Sequence, residues 1–446
     1  MQYQKWVNIM NIEEKNNMIE KIIEKFYESF AEEDIIENLQ KNNYSENRTY
    51  FSEYPSILIF LSYLYGKDYT FTTIENLDMQ IERYAGFLVN SIKANRNNNA
   101  SFCYGLTGIA YAFDYCLKKT GKFENIVNVI EDRLLFFMDI ELANIRKKKY
   151  QHLKESEYDL ITGLSGAANY FLLKKEIKNK EQIEKVLDYF SELFYSEDKI
   201  VNVLIKPDEM VMDYLREQYP KGYINLGVSH GILGPMNALC QGYLKFNNKK
   251  YKIALKRGIS IYSNNIKKSY DIIKKKMVYG WPGRLEIENK KYKYSENQSW
   301  CYGSLGMARV LYQIAVCLNE DNLKTICMKV VNSSIGYNIS NDLMRSNAIC
   351  HGLAGKLMML DRMYQDVKLE YLRDESEKYF MEIIKSADLN SKYIFKEFDI
   401  YFRGKMYDKG YEYIDLGILS GNTGIIMTLL GHLNGDFEPL CKMFLV

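Results

Sequence analysis

One short pattern recurs six times along this chain: Gly-x-x-Gly with an apolar helical run directly behind it. It stands at Gly105-Leu106-Thr107-Gly108, Gly163-Leu164-Ser165-Gly166 and Gly231-Ile232-Leu233-Gly234. It returns at Gly303-Ser304-Leu305-Gly306, Gly352-Leu353-Ala354-Gly355 and Gly421-Asn422-Thr423-Gly424. The intervals are 58, 68, 72, 49 and 69 residues. Self-similarity of this kind constrains the fold before any local assignment does. Behind the second Gly, Ile109, Ala112, Phe113, Cys116 and Leu117 follow the i, i+3, i+4 rule of an amphipathic helix. Met307, Val310, Leu311, Ile314 and Ala315 repeat it. Glycine at these turns is expected to supply a positive φ at one position and close backbone approach at the other.

Between copies lie further amphipathic stretches, such as 126–140 and 182–195. Each unit therefore reads as two helices. The stretch Tyr54 to Leu64 reads as a degraded first copy without its glycines, which makes seven helix pairs. A closed ring of such pairs buries one face of every helix against its neighbours. The expected fold is all-α, an α/α toroid: a double ring of about seven helix pairs. Residues 1–50 are expected as an N-terminal helical segment and 51–446 as a single toroid. Residues 196–222 and 264–297 are expected as loop insertions at one rim.

Composition supports this and excludes other classes. Only 6 of 446 residues are Pro, which suits long helices. Lys and Arg number 59 against 57 Asp and Glu, a balance that argues against nucleic acid as the main partner. The N-terminus lacks an apolar signal core. Leu416 to Gly435 is uncharged, but its five Gly, two Asn and one His read poorly as a membrane span. A cytoplasmic location is expected, and the eight scattered Cys are then better placed as ligands or thiols than as disulfides. The 38 Tyr carry no functional reading of their own. The Lys runs 147–149 and 274–276 read as solvated faces.

The residues just before the first Gly of each copy carry the chemistry. His230 precedes Gly231, Cys301-Tyr302 precede Gly303, and Cys350-His351 precede Gly352. Asp159 stands four residues before Gly163. Equivalent positions of a repeat lie at equivalent helix ends, so these groups should gather at one rim. Thr162 and Ser420 in the same slot show that folding does not require Cys or His there. Cys301, Cys350 and His351 make a candidate Zn²⁺ site, three protein ligands with one position open. Cys103 shares the slot of Cys301 but sits in an early copy, and packing is its preferred reading. His230 is the natural proton carrier. Asp159 either orients it, shuttles a proton itself, or caps the following helix. Tyr302 either hydrogen-bonds a developing oxyanion or packs. His152 and His432 lie outside the slot and read as structural or exposed.

Together, Trp300-Cys301-Tyr302-Gly303, Ile349-Cys350-His351-Gly352, Ser229-His230-Gly231-Ile232-Leu233-Gly234 and Asp159-Leu160-Ile161-Thr162-Gly163 resemble the lanthionine synthetase C family, the LanC-type class I lanthipeptide cyclases. The likeness runs from about residue 51 to the C-terminus. It implies two concentric rings of seven helices. It implies one Zn²⁺ held by Cys301, Cys350 and His351, catalysis by His230 and Asp159, and Tyr302 in the active site. The implied reaction adds a precursor-peptide Cys thiolate to dehydroalanine or dehydrobutyrine and forms a thioether ring. The implied partner is a dehydrated lanthipeptide precursor. A dehydratase, an export transporter and peripheral membrane association through them stay open.

One position departs. The family often has Arg four residues before the Cys of this motif, where it binds or polarises the substrate. Here Asn297 stands there, a candidate substrate-binding residue without the charge. Lys293 and Arg284 are the cations nearby in sequence that could replace it. Asn297 also favours the competing reading, a zinc-containing peptide- or thiol-binding protein with weak or no cyclase activity. A toroidal glycosidase needs two flanking carboxylates, and Asp159 has no carboxylate partner in the slots. A metal-free helical scaffold is the remaining alternative.

Overall fold

The computed structural model describes residues 10–31, 53–94, 98–148, 152–195, 202–271, 275–286, 298–336, 346–391, 393–402 and 405–446, with backbone alone over 399–402 and 405–411. The chain divides into two interleaved compact units. The first is Met1–Asn97, Gly108–Asn128 and Asn338–Phe444; the second is Asn98–Thr107, Val129–Tyr337 and Leu445–Val446.

The second unit is built from helix pairs: Leu164–Leu172 with Lys180–Leu193, Leu233–Phe246 with Lys249–Asn265, and Ser304–Leu318 with Asp321–Ser334. The two members of a pair differ in kind. Every residue of Leu164–Leu172 is buried. Its partner buries Ile183, Val186, Leu187, Phe190 and Leu193 and turns Lys180, Glu181, Glu184 and Lys185 outward. A helix that is apolar all round has neighbours all round, whereas a striped helix has solvent on one side. The glycine-led helices are therefore the inner members. Asn179 starts the outer helix by accepting from the Gln182 amide at 3.2 Å.

The first unit repeats the design. Tyr54–Leu64, the copy without glycines, is buried along its whole length. It packs on Ile74–Lys93, and Leu353–Val367 packs on Glu370–Lys385. The glycine-led helix Asn422–Asn434 is followed only by the short helix Leu440–Met443 among the described residues, and the N-terminal helix Ile12–Ala31 also packs on it. Phe26 and Phe30 of that helix meet Phe60 edge-on.

The glycines work differently from the expectation. Gly163, Gly303, Gly352 and Gly421 have φ of −99°, −83°, −121° and −129°, ordinary extended backbone. Both glycines serve close approach. A Cβ on Gly303 would lie 2.2 Å from the Ser299 amide nitrogen, and one on Gly306 2.2 Å from the Trp300 carbonyl oxygen. The turn folds back across the first coil of its own helix and leaves no room for a side chain.

The two expected loops also carry structure. Lys267–Asp271 pairs with Lys276–Gly280, and Tyr223–Asn225 pairs with Arg284–Glu286, both antiparallel. Residues 213–218 form a short helix. Strand Lys276–Gly280 is pinned to helix Asp321–Ser334: the Tyr279 amide donates to Ser333 Oγ at 2.8 Å. Lys276 donates to the carbonyl oxygens of Asn332 and Ile335 at that helix end. A lysine expected in solvent is thus spent on orphan helix carbonyls. Lys148 pairs with Glu157 at 2.6 Å; Lys149 and Lys274 lie outside the described residues. A third strand pair, the hairpin Glu397–Phe402 with Lys405–Tyr413, has no counterpart in the sequence expectations. Among the described residues no helix is long and apolar enough to cross a membrane.

Candidate active site

Within each unit the repeat slots are stitched to one another by backbone hydrogen bonds. In the second unit the amides of Phe102 and Cys103 donate to the Ile161 carbonyl, and Leu160 donates to that of Ser229. Val228 and Ser229 donate in turn to the Cys301 carbonyl at 2.8 and 3.3 Å. In the first unit Cys350 donates to Leu419 at 3.0 Å. Ile418 donates to Ser56 Oγ, so a serine hydroxyl replaces the carbonyl in the copy that lost its glycines. The amides that precede each helix have no intrahelical acceptor, and the next turn supplies one. This is why a period in sequence becomes a row of neighbouring slots.

That row brings Asp159 to His230. Asp159 Oδ2 meets His230 Nδ1 at 2.5 Å, across 71 residues of chain. Asp159 is fully buried, and its other oxygen accepts from the amides of Thr162 at 2.5 Å and Gly163 at 2.8 Å. The Thr162 hydroxyl adds a bond of 2.9 Å to Oδ2. Asp159 does not cap the following helix, whose N-cap is Gly163; one of its oxygens closes the turn before that helix and the other bonds the imidazole. Burial works against a charged His230, but the Asp159 bond and charge, with Glu155 and Cys301 behind them, raise its pKa above the ordinary value. Its side chain is 34% exposed.

Tyr302 lies beside the imidazole, stacked at 6.3 Å between ring centroids. Burial pushes its phenol well above the ordinary pKa, opposed by the charge of Arg284, so it stays a neutral donor. Arg284 Nη2 stands 3.4 Å from the Tyr302 hydroxyl. Cys301, one residue earlier, is buried with its sulfur 3.4 Å from Ser299 Oγ. The second unit thus brings together Asp159, His230, Cys301 and Tyr302. Cys103 is buried near Asp159, and burial with that charge pushes its thiol far up, which keeps it protonated. Asn297 and Lys293 lie outside the described residues.

Cys350 and His351 sit in the first unit, on the turn that leads into helix Leu353–Val367, and both are half-buried. That turn is braced by Glu397, whose carboxylate accepts from Ser346 Oγ at 2.5 Å. His351 Nε2 is buried without a hydrogen-bond partner. A bare imidazole nitrogen is a donor that Zn²⁺ takes up. Among the described residues, however, no group of three His, Cys, Asp or Glu side chains is gathered as a metal-holding set. Sequence reasoning missed Thr162, Ser299, Glu155 and Asn225. Thr162 alone carried a signal, because it occupies a repeat slot.

The helix pairs thus carry a carboxylate-held histidine next to a tyrosine in the second unit and a Cys-His turn in the first. The lanthionine synthetase C-like protein family matches residues 46–445, and the chain belongs to that family. Its enzyme class is that of the lanthionine synthetases. The nisin biosynthesis protein NisC of Lactococcus lactis subsp. lactis is 23% identical over 350 residues, 77% of this chain and 78% of that protein. The solved structure of a nisin cyclase matches with a TM-score of 0.74 over 96% of this chain and 97% of that one, at 19% identity. At this identity the structural match speaks for the fold, and it bears out the all-α toroid class.

Proposed function

We propose that this protein is a zinc-dependent lanthipeptide cyclase. Its substrate is a dehydrated precursor peptide, in which a Cys thiol adds across the Cα=Cβ bond of dehydroalanine or dehydrobutyrine. The S–Cβ bond forms as the π pair moves onto Cα and its carbonyl. The thiol gives up one proton and Cα takes one, so the addition is proton-neutral. His230 is the donor to Cα: Asp159 holds Nδ1, fixes the ring and favours the charged form, which leaves Nε2 to deliver. Tyr302, a neutral phenol beside the imidazole, donates to the carbonyl oxygen as charge builds there. Cys301, Cys350 and His351 would hold the zinc. When bound, it makes a coordinated peptide thiol a thiolate at neutral pH. The observation that carries the reading is the 2.5 Å pair of Asp159 and His230 beside Tyr302.

The test is cyclisation of a dehydrated precursor by purified, zinc-replete protein, read as thiols lost to alkylation. Zinc content is measured in parallel on wild type and Cys350→Ala. About one zinc per chain, lost in the variant, together with thiol consumption supports the proposal. Zinc without thiol consumption would replace it with the peptide- or thiol-binding reading that Asn297 favours. Well-folded wild type without zinc would remove the metal from the mechanism. The dehydratase, the transporter and the cytoplasmic setting remain proposals of the same kind, and co-purification from the producing cell tests them.

A further inference from the structure

Arg284 occupies a place that the reaction as described does not use. Strand Arg284–Glu286 pairs with Tyr223–Asn225, with Arg284 opposite Asn225. The Leu226 amide donates to the Gly283 carbonyl at 2.9 Å. Strand Tyr223–Asn225 runs on into the turn that bears His230, so Arg284 is fastened to that turn through the backbone. Its guanidinium lies between two rings, 5.2 Å from the centroid of Tyr223 and 4.9 Å from that of Tyr302. Nη2 reaches the Tyr302 hydroxyl at 3.4 Å, a length common for catalytic contacts before substrate closes on them. Its Nε is buried and has no partner, so the guanidinium carries a donor that the protein does not use.

We infer that Arg284 is a positioning residue for the thioether-forming step: it donates into the Tyr302 hydroxyl oxygen and turns the phenolic proton toward the substrate carbonyl. This rests on the function proposed above. A guanidinium has five N–H groups and no acceptor. The Tyr302 proton therefore cannot point at Arg284, and Asn225 is the other protein side chain that bonds the phenol. Glu155 Oε1 accepts from Tyr223 at 3.1 Å and from Asn225 at 2.5 Å, two residues of the strand paired with that of Arg284. A donor whose oxygen accepts from a cation is also a stronger donor. Arg284 thus brings a positive charge to Tyr302 from a strand earlier in the chain. Lysine would keep the charge but not the planar fork that the two rings clasp.

The experiment is steady-state cyclisation of one dehydrated precursor by zinc-replete wild type, Arg284→Met, Arg284→Lys, Tyr302→Phe and Arg284→Met/Tyr302→Phe. Arg284→Met is expected to lower kcat about ten- to a hundredfold with KM nearly unchanged. Arg284→Lys should recover part of that loss. The double variant should be no slower than Tyr302→Phe alone, since Arg284 acts only through that hydroxyl. A wild-type kcat in Arg284→Met, or a double variant as slow as the product of the two singles, would overturn the inference. If Arg284→Met does not fold, Arg284→Lys and its double with Tyr302→Phe carry the same comparison. Fluorotyrosine in place of Tyr302 gives a readout independent of turnover: its fluorine resonance at neutral pH should move in Arg284→Met. A wild type that leaves every thiol free would refute the proposed function, and an unmoved resonance would refute the role of Arg284.

Discussion

Two histidines of this chain have nearly the same first partner and opposite circumstances. His230 in the second unit meets Asp159 Oδ2 through Nδ1 at 2.5 Å; His432 in the first meets Asp361 Oδ2 through Nδ1 at 2.7 Å. Each pair spans 71 residues. The difference is at the other nitrogen. His432 Nε2 is taken by Glu377 at 3.1 Å, and Glu377 also binds Lys15 of the N-terminal helix at 2.6 Å. Phe380 covers the ring face at 4.6 Å, and the side chain is 8% exposed. His230 Nε2 has no such partner among the described residues, and its ring is 34% exposed. An Asp–His pair is therefore not a catalytic signature by itself. A free second nitrogen makes a proton carrier, and a second carboxylate makes a structural tie between helices.

The largest expected effect separates the two on rate. His230→Gln should lower kcat by about two to four powers of ten, while His432→Gln leaves kcat intact in the protein that folds. Cyclisation assays on both variants check this, and equal losses would dissolve the distinction. The second effect is on stability. His432→Gln leaves Asp361 and Glu377 facing each other across a buried site, with Lys15 still paired to Glu377 and Ser376 still donating to Asp361. It should cost about 3 kcal/mol, read from the urea midpoint. His230→Gln should cost much less, because its ring is partly in water.

The third effect is a pH dependence. Burial lowers the pKa of His432, but Asp361 and Glu377 outweigh it and raise the group to about 9. A raised pKa stabilises the fold fully below the unfolded value near 6.5, and that contribution fades as pH rises through about 9. Between pH 6 and 9.5 wild type should lose roughly 2–3 kcal/mol that His432→Gln does not. Parallel curves for the two proteins would refute it. The smallest effect belongs to Thr162→Val, which removes the hydroxyl bond to Asp159 and keeps the amide bond. A rate loss of a few-fold and under about 1 kcal/mol of stability is expected. A larger rate loss would mean that the hydroxyl sets the Asp159 rotamer.

Much of the fold was legible in the repeats. Six copies and the cryptic seventh at Tyr54–Leu64 all become buried helices. Gly303 and Gly306 were read as turn formers, and the turn is real, but their need is space and not a positive φ. The hairpins at 267–280 and 397–413 were missed because each has a helix or turn to lean on, and a strand's partner does not show in its own periodicity. Asp159, His230 and Tyr302 share a slot or stand beside one, and the structure brings the three side chains together. Arg284 was named only for its charge, and no spacing linked it to Tyr302.

By itself the sequence determined the period, the helical class and the residue types that stand at the turn of each copy. Those are local matters: apolar spacing, missing prolines and side-chain chemistry. Tertiary structure alone decided which nitrogen of which histidine stays open. That depends on carboxylates and rings brought in from distant helices. It also decided that Tyr302 shares its hydroxyl with Arg284. A hydrogen bond or a desolvated charge is set by what packs within a few ångströms, and packing joins groups that the chain keeps far apart.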